Sequence, residues 1–416
     1  MNPIIHLISI PLFQFLLLEI NKIKKTRIIR YVPPIIYAMY VAYLSISRFG
    51  RITGYSLSTI PMMGDIQLSI IFILDDITLI YLILISIIYM FLTLNNTIIK
   101  NHEILITLSI ITLLSSSLDL ILNFITTLSI LIIFSMEKKT YIYVATFFTA
   151  LNILGYLISN TINVGLIVHY YIYNTVSKPL LGYGVYLYVL AYFLLLSVSI
   201  EMYPILRGRR KLDEYDFLLT IVSSMILLRL LPSLMLLYYD SFFYVFKYSI
   251  LALSILNLLH YSLKILEKNT MYLKNYELGY IPLTLILTTP YAFIALNLLI
   301  TTYLIHIFIE RIHGSVWIDL SRIGLPPTPG FIPRFLIILL ILLKLGVLPF
   351  MLVILTMTYT VIGFHLNIRY KMLFNDYLLY IMIFLSLILI LLVKEYSGIF
   401  SLLFNLKVYR NIVYGV

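Results

Sequence analysis

Residues 324–334 read Gly324-Leu-Pro-Pro-Thr-Pro-Gly-Phe-Ile-Pro-Arg334 and run directly into the apolar stretch 335–343. A helix cannot continue regularly through this density of proline and glycine. Inside a membrane, the backbone groups freed by such a break must be satisfied by protein or by a water-filled cavity. Arg334 follows the break, and a charge within a membrane span is costly and usually functional. The stretch therefore predicts a broken membrane helix beside a buried cation, with the break formed by Gly324, Pro326, Pro327, Gly330 and Pro333.

Composition sets the class of protein. Apolar residues make up 62% of the 416 residues and charged residues 11%, whereas soluble domains have about 45–50% and about 25%. The chain is therefore predicted to be an all-α membrane protein, and no polar stretch is long enough for a soluble domain beside the single polytopic domain 1–416. With no cysteine and seven scattered histidines, it has no pattern for a metal, haem or iron–sulfur site. We expect no cofactor in this chain, so any redox chemistry would belong to a partner.

Hydropathy read in a window of about 19 residues predicts fourteen membrane spans. The fourth is short, and the division between the tenth and the eleventh is placed near Pro290. The predicted spans are 3–21, 31–47, 69–95, 103–117, 118–136, 141–161, 184–206, 216–239, 242–263, 276–295, 296–309, 323–343, 347–368 and 376–393.

Positive charge is placed unevenly along these spans. Lysine and arginine cluster in loops after odd-numbered spans, at 22–30, 138–139, 207–211 and 264–274. By the positive-inside rule these loops face the cytoplasm-equivalent side, and both termini face the other side. The net charge of +11 is thus explained by membrane topology, so the expected surroundings are a lipid bilayer and no nucleic acid.

Charged residues within the spans are the candidate functional groups. Arg229 falls near the middle of the eighth span, where it could act in transport, form a structural ion pair or snorkel. Arg334 could also anchor the span at the interface. Glu201 could pair with the basic loop that follows the seventh span, and Lys247 lies close enough to a span end to snorkel.

Three further polar residues complete the candidate set. Asp119 follows three serines and fits a turn or a helix cap as well as a proton path. His260 and His306 lie on apolar faces, where a histidine is either satisfied by hydrogen bonds or relays protons near neutral pH. The sequence has no phosphate-binding loop, nucleophile elbow or metal triad. A series of buried acids and bases without such motifs favours movement of protons or cations.

Residues 324–334 resemble the Gly-(Leu/Ile)-Pro-Pro-Leu-x-Gly-Phe-x-x-Lys signature of chain 2 of respiratory NADH:ubiquinone oxidoreductase, an antiporter-like subunit of the membrane arm. Residues 356–370 are similar to that family's next helix, residues 72–80 to its third helix, and Arg229-Leu-Leu-Pro232 more weakly to a Lys-hydrophobe-Ala-Pro segment. The resemblance implies fourteen helices with two inverted five-helix repeats and broken helices. It divides the chain into helices 1–3 (1–102), a first repeat (103–239), a second repeat (240–368), and a last helix with its tail (369–416).

The sequence departs from the family at the proposed proton relay. The family's glutamate in the fifth helix and its lysines in the seventh, eighth and twelfth helices fall near Leu128, Ser199, Arg229 and Arg334. Two ionisable groups are absent, and two lysines are replaced by arginine, which stays protonated where a buried lysine gives up its proton readily. The arginines are therefore expected to shape the electric field, while protons move through water and the other candidates, which are Glu201, Asp119, Lys247, His260 and His306.

The resemblance implies a proton-translocating subunit of the NADH:ubiquinone reductase, with other membrane-arm subunits as partners. An excess of Ile, Leu, Tyr and Phe over Ala and Gly suits an AT-rich organellar genome, so a mitochondrial inner membrane is preferred to a bacterial plasma membrane. Two alternatives stay open. The chain could be a divergent structural subunit that no longer pumps, or it could be a stand-alone cation/proton antiporter.

Overall fold

The computed structural model describes thirteen segments of the chain. They are residues 3–20, 27–48, 53–61, 67–74, 76–94, 97–117, 120–159, 179–205, 214–236, 241–267, 270–287, 290–312 and 316–367. The described helices belong to two compact units, one within residues 1–192 and the other within residues 193–405.

The first unit is built from helices and one β-hairpin. The helices are α1 (Pro3–Ile20), α2 (Arg27–Arg48), α3 (Asp76–Leu94), the single turn α4 (Thr97–Lys100), α5 (Glu103–Ser116), α6 (Leu120–Glu137), α7 (Thr140–Ser159) and α8 (Pro179–Ser199), which continues into the second unit. Helix α1 packs on α2 and α5, α2 packs on α3, and α6 packs on α7.

The hairpin changes one predicted boundary. Strands β1 (Thr53–Pro61) and β2 (Gln67–Leu74) pair antiparallel, with an irregularity between Ser56 and Ser58. The third span was predicted from residue 69, yet the helix begins at Asp76 because residues 67–74 form β2. The run Ile-Ile-Phe-Ile-Leu is as apolar as a membrane helix, and its β-branched and aromatic side chains also suit a strand. Hydropathy alone could not separate the two.

The second unit contains four helices of 21–26 residues and several shorter ones. The elements are α9 (Glu214–Leu236), α10 (Ser241–Leu266), the 3-10 turn Thr270–Tyr272, α11 (Leu273–Leu278), α12 (Ile281–Leu287), α13 (Pro290–Ile312), α14 (Val316–Ile323), α15 (Phe331–Leu345) and α16 (Val347–Asn367). Helix α10 packs on α11, α12 and α16, while α15 packs on α12, α13 and α16, and α11 packs on α14.

The break predicted at 324–334 is present at residues 324–330, whereas Pro333 and Arg334 lie in the first turn of α15. Helix α14 ends at Ile323, and the following Gly324 has a φ of +86°, which suits glycine. The amides of Gly324 and Leu325 both donate to Leu320 O, at 3.0 and 3.1 Å, which satisfies the helix end as a glycine C-cap does. Helices α14 and α15 have 8 and 15 residues, or about 12 and about 22 Å at 1.5 Å per residue. Neither helix alone spans a hydrocarbon layer of about 30 Å.

The region of the tenth and eleventh predicted spans agrees with the sequence in one respect and differs in another. Their division was placed near Pro290, with 295 as the last residue of the tenth span, and α13 begins at Pro290. Proline is favourable at the first helical position because the amide it lacks would have no partner there. The tenth predicted span is instead divided between α11 and α12, which are separated by Gly279 and Tyr280. The fourteenth predicted span, 376–393, and the tail lie outside the described residues.

The described helices have the length and surface of a multi-pass membrane protein. Three of them contain stretches long and apolar enough to cross a membrane alone, namely Ile29–Arg48, Tyr244–Leu266 and Val347–Leu366, and eight further helices contain apolar stretches of 10–17 residues. Large apolar side chains remain exposed on them, such as Ile46 at 88% and Leu348 at 73%. Such surfaces are stable against lipid and unfavourable in water.

Candidate functional site

The break between α14 and α15 holds a fully buried guanidinium. Arg334 has no exposed surface, and its Nη1 donates to Ser321 O at 2.7 Å and to Gly330 O at 3.2 Å. Its guanidinium carbon lies 5.3 Å from the centre of the Tyr280 ring, within cation–π range. Its Nε and Nη2 have no hydrogen-bond partner among the described residues. The charge is therefore held by two carbonyl oxygens, one in the last turn of α14, where the helix dipole favours a cation, and one at the residue before α15.

Two glycines make room for this arrangement. A Cβ on Gly324 would lie 2.6 Å from Arg334 Cδ, and a Cβ on Gly330 would lie 1.9 Å from Ser321 O. The second contact is with backbone, which cannot rotate away. Glycine is therefore required at position 330 by the close approach of the two ends of the break.

A second buried group lies beside the break. Glu277 on α11 and His306 on α13 are both fully buried, with Oε1 and Nδ1 2.7 Å apart. The other imidazole nitrogen, Nε2, lies 2.6 Å from Ser321 Oγ. With Glu277 ionised and His306 neutral, Nδ1–H donates to the carboxylate, and the serine hydroxyl donates to Nε2.

Ser321 joins the histidine to the break. Its Oγ accepts the Gly330 N–H at 2.9 Å, while its carbonyl accepts Arg334 Nη1. The hydrogen bonds from Gly330 N–H through Ser321 and His306 to Glu277 then all point toward the carboxylate. Aligned hydrogen bonds polarise one another in a low dielectric, so the ionised carboxylate is stabilised by a chain that begins at the break.

An outer group of ions connects this interior to the surface. Arg322 on α14 is 4% exposed, and its Nη2 donates to Glu310 Oε2 at 2.7 Å. The same Glu310 oxygen pairs with Lys274 Nζ at 2.8 Å, and both of these side chains are about one-third exposed. Arg322 also lies 3.5 Å from Asp319 Oδ1 and 3.7 Å from Glu277 Oε2. Ion pairs thus run from a partly exposed lysine to a fully buried carboxylate.

The predicted site residues are distributed unevenly around this cluster. Arg334 and His306 belong to it. Glu201 is nearly buried in the turn after α8, with φ of +53°, and its Oε2 lies 3.5 Å from Asn275 Nδ2. His260 stacks on Tyr203 with ring centres 4.0 Å apart, and Lys247 is half-buried on α10. Neither of these two contacts the cluster.

Two predicted residues have no described side chain. Arg229 lies on the helical backbone of α9, but its side chain is outside the described part. Asp119 lies outside the described residues altogether. Their roles stay predictions.

Sequence reasoning missed Glu277, Ser321 and Arg322. Glu277 is the second residue of the predicted tenth span, and Ser321 and Arg322 lie three and two residues before Gly324. All three were assigned to span ends or loops, where polar residues need no explanation. A buried hydroxyl or carboxylate next to a helix break was the available signal, because a break supplies donors and acceptors that lipid cannot.

Comparison with solved structures identifies the fold. A chain of the membrane-bound sulfane sulfur reductase, an archaeal respiratory membrane complex, is similar with a TM-score of 0.69 and 13% identity, covering 99% of this chain and 97% of that one. A chain of the Mrp complex from Dietzia sp. gives 0.63 and 12%, covering 88% and 80%. A chain of respiratory complex I from Thermus thermophilus gives 0.58 and 13%, covering 95% and 99%. No family model and no curated protein matches the sequence.

Each of these chains comes from a complex, and the first and third complexes are respiratory. The chain therefore has the antiporter-like membrane fold with broken helices that the sequence predicted.

Proposed function

We propose that this chain is an antiporter-like membrane-arm subunit of a respiratory NADH:ubiquinone oxidoreductase. It contributes to proton translocation coupled to electron transfer from NADH to ubiquinone, in a mitochondrial inner membrane. The redox centres belong to other subunits, as the absence of cysteine from the sequence suggests. Near-complete mutual coverage with chains of two respiratory complexes supports this proposal.

The observation that carries the proposal is the buried Glu277–His306 pair. A carboxylate and an imidazole 2.7 Å apart, neither exposed, share one mobile proton position. Burying an ionisable pair is costly unless the groups are hydrogen-bonded, and breaking such a pair costs more. Within a membrane, ionisable residues are candidate functional groups by default, and proton relays are built from acids and histidines such as these. A purely structural contact at this position would be served as well by apolar side chains.

Two arginines near the Glu277–His306 pair limit which groups can take part in proton exchange. Arg322 and Arg334 stay protonated, so they cannot exchange protons with it. They instead supply fixed positive charge beside the pair, with Arg322 Nε 3.7 Å from Glu277 Oε2. Any proton that passes through this cluster is therefore carried by Glu277 or His306.

The test is proton transport by the complex that contains this chain. His306→Gln and Glu277→Gln are each introduced, the complex is reconstituted in liposomes, and proton uptake is measured together with NADH oxidation. We expect fewer protons per NADH in both variants, while uncoupled NADH oxidation continues. Loss of a positioned proton carrier typically lowers a transfer rate by about 10²- to 10⁴-fold.

His102→Gln is a matched control. His102 Nδ1 lies 3.1 Å from Glu19 Oε1, and those side chains are 20% and 37% exposed. This control removes the same chemical pair at the surface of the other unit and should leave the proton ratio unchanged. An unchanged ratio in the His306 and Glu277 variants, with normal assembly, would favour the purely structural subunit. Recovery of the chain only outside any NADH-oxidising complex would favour a stand-alone antiporter.

A further inference from the structure

Two adjacent prolines, Pro33 and Pro34, lie inside helix α2 of the first unit. In an α-helix the N–H of each residue donates to the carbonyl four residues earlier, and proline has no N–H. Pro33 and Pro34 therefore leave Ile29 O and Arg30 O without their backbone donors. Both prolines are buried, and lipid cannot supply the missing hydrogen bonds.

The side chain of Gln14 on α1 donates to these same two carbonyls. Its Nε2 lies 2.9 Å from Ile29 O and 3.1 Å from Arg30 O. A primary amide has two N–H groups, so its donors match in number the two that the prolines remove. Gln14 has no exposed surface. Two hydrogen bonds that a regular helix would make within its own backbone are thus made here to a neighbouring helix.

Tyr89 on α3 holds the amide of Gln14 in this orientation. Carbonyls only accept hydrogen bonds, so Nε2 must face α2, and Oε1 is left to accept from the Tyr89 hydroxyl. The Tyr89 ring lies edge-on to Tyr37 of α2, with ring centres 5.6 Å apart. The amide is therefore fixed from the side of α3 as well.

Arg30 connects the start of α2 to the end of α3. Its Nη2 donates to Thr93 O, in the last turn of α3, at 3.0 Å. Arg30 precedes the prolines, so any change in the bend at Pro33 and Pro34 moves its guanidinium relative to Thr93 O.

We propose that Pro33 and Pro34 form a hinge in α2, and that Gln14 holds this hinge closed by replacing the two missing backbone donors. A regular helix keeps its path through its own hydrogen bonds, whereas at this hinge α2 depends on bonds to α1. A displacement of α1 therefore opens the hinge and moves Arg30 away from the end of α3. The bend of α2 and the position of α1 are thereby coupled.

The test is amide hydrogen exchange of α2 in the purified complex, measured by mass spectrometry in a double-mutant cycle. Gln14→Met removes both donors and nearly keeps the shape of the side chain, and Pro33→Ala/Pro34→Ala restores both backbone N–H groups. We expect Gln14→Met to accelerate exchange next to the hinge by roughly 10- to 100-fold, as the loss of two neutral hydrogen bonds implies. In the double-alanine background the same change should accelerate exchange by no more than about threefold. The amides nearest the hinge are those of Tyr31, Val32, Ile35 and Ile36.

Asn152→Met is a matched control. Asn152 on α7 is also a buried amide, and its Nδ2 donates to Phe148 O, four residues earlier, at 2.7 Å. Residue 152 has its own N–H, so the backbone of α7 already provides a donor for that carbonyl. Exchange in α7 should therefore stay within about threefold of wild type.

Each outcome supports or overturns the hinge. Equal acceleration by Gln14→Met in both backgrounds would overturn it, because the amide would then act through packing on Tyr89, and unchanged exchange in α2 would overturn it too. If Gln14→Met prevents assembly, rescue by Pro33→Ala/Pro34→Ala supports the hinge, whereas failure in both backgrounds overturns it. Failure of Pro33→Ala/Pro34→Ala alone to assemble would also count against it, since restored backbone donors should preserve α2. None of these readouts depends on proton transport, so the proposed function is tested separately by the Glu277 and His306 variants.

Discussion

The sharpest structural test is Gly330→Ala. A Cβ at this position would lie 1.9 Å from Ser321 O, 2.8 Å from Ser321 C and 3.0 Å from Arg334 Nη1. The first two atoms belong to the backbone at the end of α14, so the two ends of the break would have to move apart by more than 1 Å to restore ordinary contact. Ser321 would be displaced from both Arg334 and His306.

The cost can be estimated from the contacts that would be lost. Overpacking a close-packed site typically costs about 1–3 kcal/mol, and each hydrogen bond to a charged group contributes about 1.5–3 kcal/mol. Loss of the 2.7 Å bond between Arg334 and Ser321 O together with the strain gives a destabilisation of roughly 3–6 kcal/mol. We expect little assembled complex in membranes that express Gly330→Ala, measured by native gel electrophoresis and by NADH oxidation.

Gly346→Ala is the matched control. Gly346 also has positive φ, at +92°, but a Cβ there would have nothing within 4 Å. This variant therefore carries backbone strain of about 1–3 kcal/mol without a clash and without contact to Arg334. It should assemble at a moderately lower level and keep its proton ratio. Normal assembly and normal proton transport in Gly330→Ala would refute the described geometry of the break.

Two more predictions follow from single contacts. Ser321→Ala removes the hydroxyl between His306 and Gly330, so proton transport per NADH should fall while assembly of the complex is largely kept. Ser321→Thr keeps a hydroxyl and should restore part of the transport. Equal transport in the two variants would argue against a role for the hydroxyl. Gly363→Ala places a Cβ 2.6 Å from Leu266 backbone atoms, so it should separate α16 from α10. The thermal stability of the complex should fall as a result. The measurement is the loss of NADH-driven proton uptake after heating to a series of temperatures.

The sequence was most informative where composition and chain breaks dominate. The apolar content required a membrane protein, and the glycine and proline run at 324–334 required a helix break, because neither property depends on long-range contacts. The boundaries were less accurate where a local signal allowed two outcomes. Residues 67–74 are apolar enough for a helix, and pairing with 53–61 makes them a strand.

The candidate site was predicted only in part, for a physical reason. Arg334 and His306 were visible as polar residues in apolar surroundings. Glu277 and Ser321 became functional candidates only when α11, α13 and α14 were brought together, since their partners are 29 and 15 residues away along the chain. Periodicity reports which face of a helix is apolar, but it does not report which buried polar groups meet.

This chain has Arg334 where the signature that residues 324–334 resemble ends in a lysine, and the two side chains differ in what they can do. A lysine there could deliver its proton to a neighbour, whereas the guanidinium has several donors in a fixed plane and keeps its charge. In this chain one of those nitrogens holds Ser321 O and Gly330 O together across the break. If Glu277 and His306 carry the exchangeable proton as proposed, Arg334 supplies a fixed charge and joins the two ends of the break by hydrogen bonds. Arg334→Lys should then loosen the break and weaken proton transport, although it would restore an ionisable group; improved transport in that variant would contradict this division of roles.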